Sequence, residues 1–232
     1  SDVCSSDLVV QLDPQSLSWV EPFLPPAARA ALSDKRVHVH FTDGRRLVKN
    51  TRVLYDVVIA SLGDPYNAQI NRYYTKEFFR EARRIMSPNG ILSFAVSSSE
   101  NYLSEAAKDY LRALHSTLKA VFPEVQSIPG ETHIFLAGLR PGAISAAPQF
   151  FVDEIKKRSI NTQYVSAYYL PYQLSADRLS YINDVLREDG QVNTDMHPIV
   201  YFYDATFWAA HFDAGFKTLL KKLQGLTFWH LL

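Results

Sequence analysis

The chain has 232 residues, 24 basic and 24 acidic side chains, and 47 % hydrophobic residues. That length holds one domain of ordinary size with room for a small appendage, and the apolar and aromatic content excludes a disordered chain. Zero formal net charge argues against broad electrostatic binding of nucleic acid, and a single cysteine excludes both an intrachain disulfide framework and a multi-cysteine metal site. No apolar run reaches the roughly 18 residues that spanning a bilayer requires, and no signal-peptide pattern opens the sequence. Residues 1–8 read like translated adapter bases and are expected to be foreign; Cys4 lies among them and receives no role. Leu226 to Leu232 stops inside an apolar run, so the natural protein is expected to continue in both directions.

Leu8 to Asp13 reads as a buried strand ending on an acid. Ser16 to Leu32 is helix-like, broken or kinked at Pro22, Pro25 and Pro26. Val37, Val39 and Phe41 alternate with polar residues and predict a strand, after which Asp43-Gly44 turns the chain. Tyr55 to Ser61 contains an apolar run suited to a central parallel strand. Leu62 to Arg72 reads as a loop, and Thr75 caps a helix running to about Met86. Ser87-Pro88-Asn89-Gly90 ends that helix and Ile91 to Val96 is the next strand. Tyr102 to Phe122 is an amphipathic helix, and Val125–Ile128 with His133–Leu139 form an antiparallel pair around Pro129-Gly130.

From about Arg140 the pattern changes to a Pro/Gly/Ala linker. Helices are expected near Gln149–Arg158 and Ala176–Glu188, then an extended Val192–Tyr203 segment and a helix near Ala205–Leu223. Strands alternating with helices imply an α/β fold, a mostly parallel sheet with an antiparallel edge pair.

In such a sheet, ligands bind beyond the carboxyl ends of the strands. Gln11 and Asp13 fall after the first strand, Asp43 and Gly44 after the second, and Ser61 to Asp64 after the third. A carboxylate at the first place can hold ribose hydroxyls, one at the second an adenine amino group, and one at the third an amine. Each acid alone is better read as capping a helix or closing a turn; three in succession tip the balance toward a nucleoside site. His38 and His40 share a strand face, but no third ligand lies near them, so no metal site is expected. The aromatic residues Tyr168, Tyr169, Tyr201, Tyr203, Phe207, Trp208 and Phe212 are read as core or interface packing.

Gln11-Leu12-Asp13-Pro14, Val39 to Arg45, Tyr55 to Ile59 and Gly63-Asp64-Pro65 resemble the spermidine synthase (polyamine aminopropyltransferase) family. Asp64 to Phe79, together with Asn193-Thr194-Asp195-Met196-His197-Pro198 and Tyr201 to Asp204, is similar to the spermidine-synthase-like domains that bacteria fuse to multispanning membrane segments. The resemblance implies a class I methyltransferase-type (Rossmann-like) sheet, truncated at its N-terminus, over residues 9–140, and a helical extension over 141–232 that leads toward a membrane region. This chain would then be soluble, on the cytoplasmic face.

The implied chemistry is aminopropyl transfer from decarboxylated S-adenosylmethionine to a diamine such as putrescine, with no metal and no permanently bound cofactor. On that resemblance Gln11 stands where the family has its ribose-binding acid, and Asp43 and Gly44 match the adenine-contacting pair. Ser61 stands at the family's catalytic Asp, Asp64 matches the acid that helps hold the amine, and Tyr73 and Tyr74 border the acceptor pocket. Asn71 to Tyr74 either gate that pocket or fix the loop against the sheet. The family's glycine-rich cofactor loop would precede Val9. Two further readings stand beside transfer: a non-catalytic nucleoside- or polyamine-binding or scaffolding domain, and an S-adenosylmethionine-dependent methyltransferase.

Overall fold

The computed structural model describes residues 6–100, 102–145, 147–160, 165 and 169–209, with Thr206 to Ala209 described as helix only. The chain forms two compact units, Ser1–Arg52 and Val53–Leu232.

In the first unit, β1 (Asp7–Gln11) pairs in parallel with β2 (Val37–Phe41), Gln11 standing opposite Phe41. Parallel pairing requires a crossover. The chain supplies it with α1 (Pro14–Val20), a 3-10 turn at Glu21–Phe23 and α2 (Pro26–Leu32). The prolines act as expected: Pro22 sits in the tight turn and Pro26 opens α2, where its missing N–H costs nothing. Asp43-Gly44 is not a plain turn. Asp43 caps a further helix, α3 (Gly44–Asn50), whose Arg45 and Val48 are buried.

The second unit is built on a four-stranded sheet of β3 (Tyr55–Ala60), β4 (Met86–Ser97), β6 (Thr132–Gly138) and β5 (Glu124–Ile128), in that spatial order. β3 and β4 are parallel, while β6 runs antiparallel to both β4 and β5. The four-stranded sheet is therefore mixed and not mostly parallel as expected. The hairpin return strand β6 inserts beside β4 and leaves β5 at the edge. β3 is likewise an end strand of its sheet, with Val57 and Ile59 exposed. Ser87 to Gly90 belong to β4 and do not form a turn. The register jumps from Tyr55 opposite Met86 to Val57 opposite Ile91, and Ser87 Oγ donates to Asp56 Oδ1 at 2.6 Å across the irregularity.

Between β3 and β4 lie α4 (Ala68–Asn71) and α5 (Lys76–Arg84); Thr75 caps α5 by accepting from Phe78 N–H. α6 (Glu105–Lys119) joins β4 to β5. One sheet face buries Leu92, Phe94, Val96 and Phe135. Phe94 stacks on Phe79 of α5 at 5.7 Å and meets Tyr74 and Phe135 at 5.2 Å each. Burying rings of this size supplies the bulk of the core's driving force, and the tilted and edge-on geometries suit their quadrupoles.

The C-terminal part forms α7 (Pro148–Lys157), α8 (Tyr169–Gln173), α9 (Ala176–Arg187) and α10 (Ile199–Ala209). α10 begins six residues earlier than Ala205, and the residues before it form no strand: the chain bends at Asp195 and Met196, with Thr194 and His197 hydrogen-bonded to each other through their backbones. Tyr168, Phe212 and the Leu226–Leu232 run lie outside the described residues, as does Cys4. Among the described residues no helix is long and apolar enough to cross a membrane.

α6 is the platform for this part. Arg112 Nε donates to Val185 O at 2.9 Å, and Gly190 N–H donates to Ser116 Oγ at 2.8 Å. A Cβ on Gly190 would stand 2.4 Å from the backbone carbon of Arg112, so only glycine permits this approach. Three residues on, Asn193 is fully buried. Its Nδ2 donates to Asn71 Oδ1 (3.1 Å) and Tyr74 O (2.9 Å), and its Oδ1 accepts from Val200 N–H (3.2 Å). Its N–H donates to Thr117 Oγ1 (2.8 Å) and its carbonyl accepts from Lys76 N–H (2.8 Å). Asn193→Ala leaves several buried groups unpaired and is expected to cost about 2–3 kcal/mol, read as a lowered urea midpoint at unchanged slope.

Two histidines on the core side are held neutral. Burial, and secondarily repulsion from His115 when that ring is protonated, lowers His133 to about 3; burial, and then Lys119, lowers His115 to about 4, partly opposed by Asp189. Unfolding lets both take up protons below the ordinary value of 6.5, so the stability they contribute is complete above that pH. It is lost as pH falls toward about 4 and about 3. Denaturant melts between pH 7 and 5 should show falling stability. His133→Phe should flatten the dependence by on the order of 1 kcal/mol per pH unit.

Candidate functional site

The polar residues singled out in the first unit share the carboxyl end of the β1–β2 pair. Thr42 N–H donates to Gln11 O at 2.8 Å, which closes this end of the pair. Asp13 caps α1, its Oδ1 accepting from Gln15 N–H at 2.8 Å. Asp43 caps α3, its Oδ1 accepting from Arg46 N–H at 2.9 Å. Both acids thus satisfy helix N-termini, where a carboxylate also meets the positive end of the helix dipole. Gly44 is the first residue of α3, and Gln11 is exposed. His38 and His40 are exposed on β2. Among the described residues no three His, Cys, Asp or Glu side chains gather as a metal site would require.

In the second unit the loop after β3 turns at Gly63, whose φ of +72° is the left-handed conformation that favours glycine. Ser61 is exposed just before it. Asp64 follows the turn and reaches the end of the neighbouring parallel strand: its Oδ1 accepts from Ser97 N–H at 2.7 Å. The same oxygen accepts from the Tyr110 hydroxyl of α6 at 3.4 Å. Both of these hydrogen bonds fall on Oδ1, and Oδ2 takes neither.

Tyr74 lies on the same loop system. It is fully buried and its hydroxyl donates to the Gly63 carbonyl. Burial, and then the Asp64 charge, pushes its pKa far up, so it remains a protonated donor. Tyr73 is differently placed. Its hydroxyl accepts from Arg72 Nη2 at 3.0 Å, the Arg72 guanidinium lies 4.9 Å from its ring centre, and its ring edges Phe78 at 5.2 Å.

The structure thus gathers Asp64, Tyr74 and Gly63 at the carboxyl ends of β3 and β4. Asn71 fixes the loop to the C-terminal segment: its Oδ1 accepts from Asn193 Nδ2 and from Tyr201 N–H at 3.2 Å. Thr75 Oγ1 donates to Asp195 Oδ1 at 2.7 Å, and Asp195 N–H donates to Glu77 Oε2 at 2.9 Å. Sequence reasoning did not single out Ser97 or Tyr110. Ser97 takes part through its backbone, which leaves no side-chain signature. Tyr110 sits on the apolar stripe of an amphipathic helix, where a ring reads as packing.

Comparison with known proteins gives this geometry a family. The sequence profile of the spermine/spermidine synthase domain matches residues 3–136. The chain belongs to that family. It is 30 % identical over 122 residues to a polyamine aminopropyltransferase of Nitrosomonas europaea, covering 53 % of this chain and 37 % of that protein. It is 28 % identical over 163 residues to a polyamine aminopropyltransferase of Prochlorococcus marinus (strain MIT 9215), covering 68 % of this chain and 55 % of that protein. The chain therefore spans roughly a third to a half of the length of these relatives.

Among solved structures, a spermidine synthase in complex with the transition-state analogue AdoDATO superposes with a TM-score of 0.62 at 14 % identity, covering 81 % of this chain and 63 % of that one. Spermidine synthase from Thermotoga maritima gives 0.57 at 14 % identity, covering 79 % and 60 %. At such identity the likeness shows the Rossmann-like α/β fold. The finer resemblance to domains fused to membrane segments receives no support from these comparisons.

Tyr74→Phe tests the geometry of the Asp64 loop. It keeps the buried ring but strands the Gly63 carbonyl. Stability should fall by about 1 kcal/mol in denaturant melts, and the Ser97 amide should exchange faster with solvent.

Proposed function

We propose that this chain is an aminopropyltransferase-like domain that binds a polyamine or diamine through Asp64 and whose transfer chemistry is impaired by Ser61. The observation that carries the reading is how Asp64 is held. Two donors engage one oxygen and leave the other to accept from an ammonium group, beside a protonated tyrosine and at the carboxyl end of two parallel strands. Tyr73 and Tyr74 are proposed to border the amine. For a nucleoside co-substrate the proposed contacts are Gln11, Asp13, Asp43 and Gly44, with decarboxylated S-adenosylmethionine as the molecule recognised.

In the transfer itself the amine nitrogen lone pair attacks the propyl carbon next to the sulfonium. The carbon–sulfur bond breaks, methylthioadenosine leaves with the electron pair, and the amine gives up a proton to a base. An amine that arrives as an ammonium must lose one proton before it can attack. On the resemblance drawn from the sequence, that work would fall to a carboxylate at the position held here by Ser61, whose hydroxyl is far too weak a base at neutral pH. Positioning alone then supplies what rate acceleration remains. This same substitution favours a second reading, a binding domain without turnover.

An assay of aminopropyl transfer from decarboxylated S-adenosylmethionine to putrescine separates the two. The expected result is little or no transfer by the unaltered chain and a rise of at least tenfold on Ser61→Asp. Ordinary enzymatic turnover that Asp64→Ala abolishes and Ser61→Ala leaves intact would refute impaired catalysis. Tighter binding of S-adenosylmethionine than of its decarboxylated form would point to methyl transfer instead.

A further inference from the structure

Tyr110 places a phenol where an apolar ring would pack as well. It is 2 % exposed and lies on the buried stripe of α6, together with Ala106, Ala107, Leu111, Leu114 and Leu118. A phenylalanine would fill nearly the same space at no polar cost. A buried phenol is tolerated only where its hydroxyl has a partner. Here the hydroxyl stands 3.4 Å from Asp64 Oδ1. Asp204 of α10, itself 2 % exposed, adds the charge of a second buried carboxylate. Burial first, and then the charges of Asp64 and Asp204, push the Tyr110 pKa well above its ordinary value. The phenol therefore stays protonated, and a protonated phenol is a donor.

Asp64 sits in a loop, and a loop carboxylate has rotamers to spare. One donor, the Ser97 N–H, fixes the position of Oδ1 but leaves the carboxylate free to swing about it. A second donor from a rigid helix removes that freedom. We propose that Tyr110 is a positioning residue: its hydroxyl, delivered from α6, and the Ser97 N–H at the end of β4 together lock the Asp64 carboxylate so that Oδ2 meets the ammonium of the polyamine. The inference rests on the reading of Asp64 as the amine-holding group.

Two measurements on the whole 232-residue chain test it. The first is a double-mutant cycle on putrescine binding, measured calorimetrically with methylthioadenosine present. Tyr110→Phe should weaken putrescine binding about five- to tenfold while methylthioadenosine binding changes less than twofold. Asp64→Asn should weaken putrescine binding at least tenfold, and the double variant should bind within twofold of Asp64→Asn. Non-additivity of this kind is the signature of a residue acting through Asp64. An unchanged affinity in Tyr110→Phe, or a loss that adds in full to that of Asp64→Asn, overturns the inference.

The second measurement needs no ligand. Tyr110→Phe should displace the carbon-13 resonance of the Asp64 carboxyl group, whereas Tyr102→Phe, at an exposed ring, should not. A resonance that stays in place in Tyr110→Phe overturns the positioning role. If the unaltered chain binds no putrescine, the reading of Asp64 as amine-holding falls, and the carboxyl resonance still decides whether Tyr110 holds it.

Discussion

The second unit hangs on the side-chain amide and backbone of Asn193. One residue satisfies the loop before α5, the first turn of α5, the last turn of α6 and the first turn of α10. Asparagine suits this because it carries two donors and an acceptor on one short arm, and each has a partner here. No apolar residue could replace it without leaving backbone groups of several elements buried and unpaired. The arrangement makes the segment after α9 part of the same body as the sheet, and it sets where the loop carrying Asn71 to Thr75 can lie.

That loop in turn frames Asp64. The carboxylate bridges the ends of two parallel strands, and a tyrosine from the next helix joins it there. The site is thus built in layers. A buried amide network holds a loop, the loop presents Tyr74, Tyr74 braces the Gly63 turn, and the turn delivers Asp64. Each layer is rigid because its polar groups are satisfied, which is how a fold can place a charged side chain within the tolerance that recognition needs.

Much of this was legible in the residues. Period-two alternation located β2, an apolar run located β3, Thr75 marked the start of α5, and Pro129-Gly130 marked the hairpin. The misses have physical reasons. Asp43-Gly44 carries the same local chemistry whether it closes a turn or caps a helix, and only the packing of Arg45 and Val48 settles it as a cap. Ser87 to Gly90 has turn composition, yet an irregularity in the β3–β4 register takes these residues into a strand. Ile199 to Tyr203 is rich in residues that favour strands, but its first amides are captured by Asn193 and Asn71, which start a helix. The acids after β1 and β2 were legible as site candidates, and their capping of α1 and α3 was legible as the competing role. Asn193 was noticed only as part of a family-like motif, because the partners that give it meaning lie about 75 to 120 residues away.

Gly190 bears on how such a domain can change over time. The backbone of the 190 region lies against that of α6 with no room for a methyl group. Position 190 is therefore a ratchet for sequence drift. Any replacement here must be matched by a retreat of helix α6 itself. A chain that keeps both the Asn193 anchor and this close approach to α6 needs glycine at position 190.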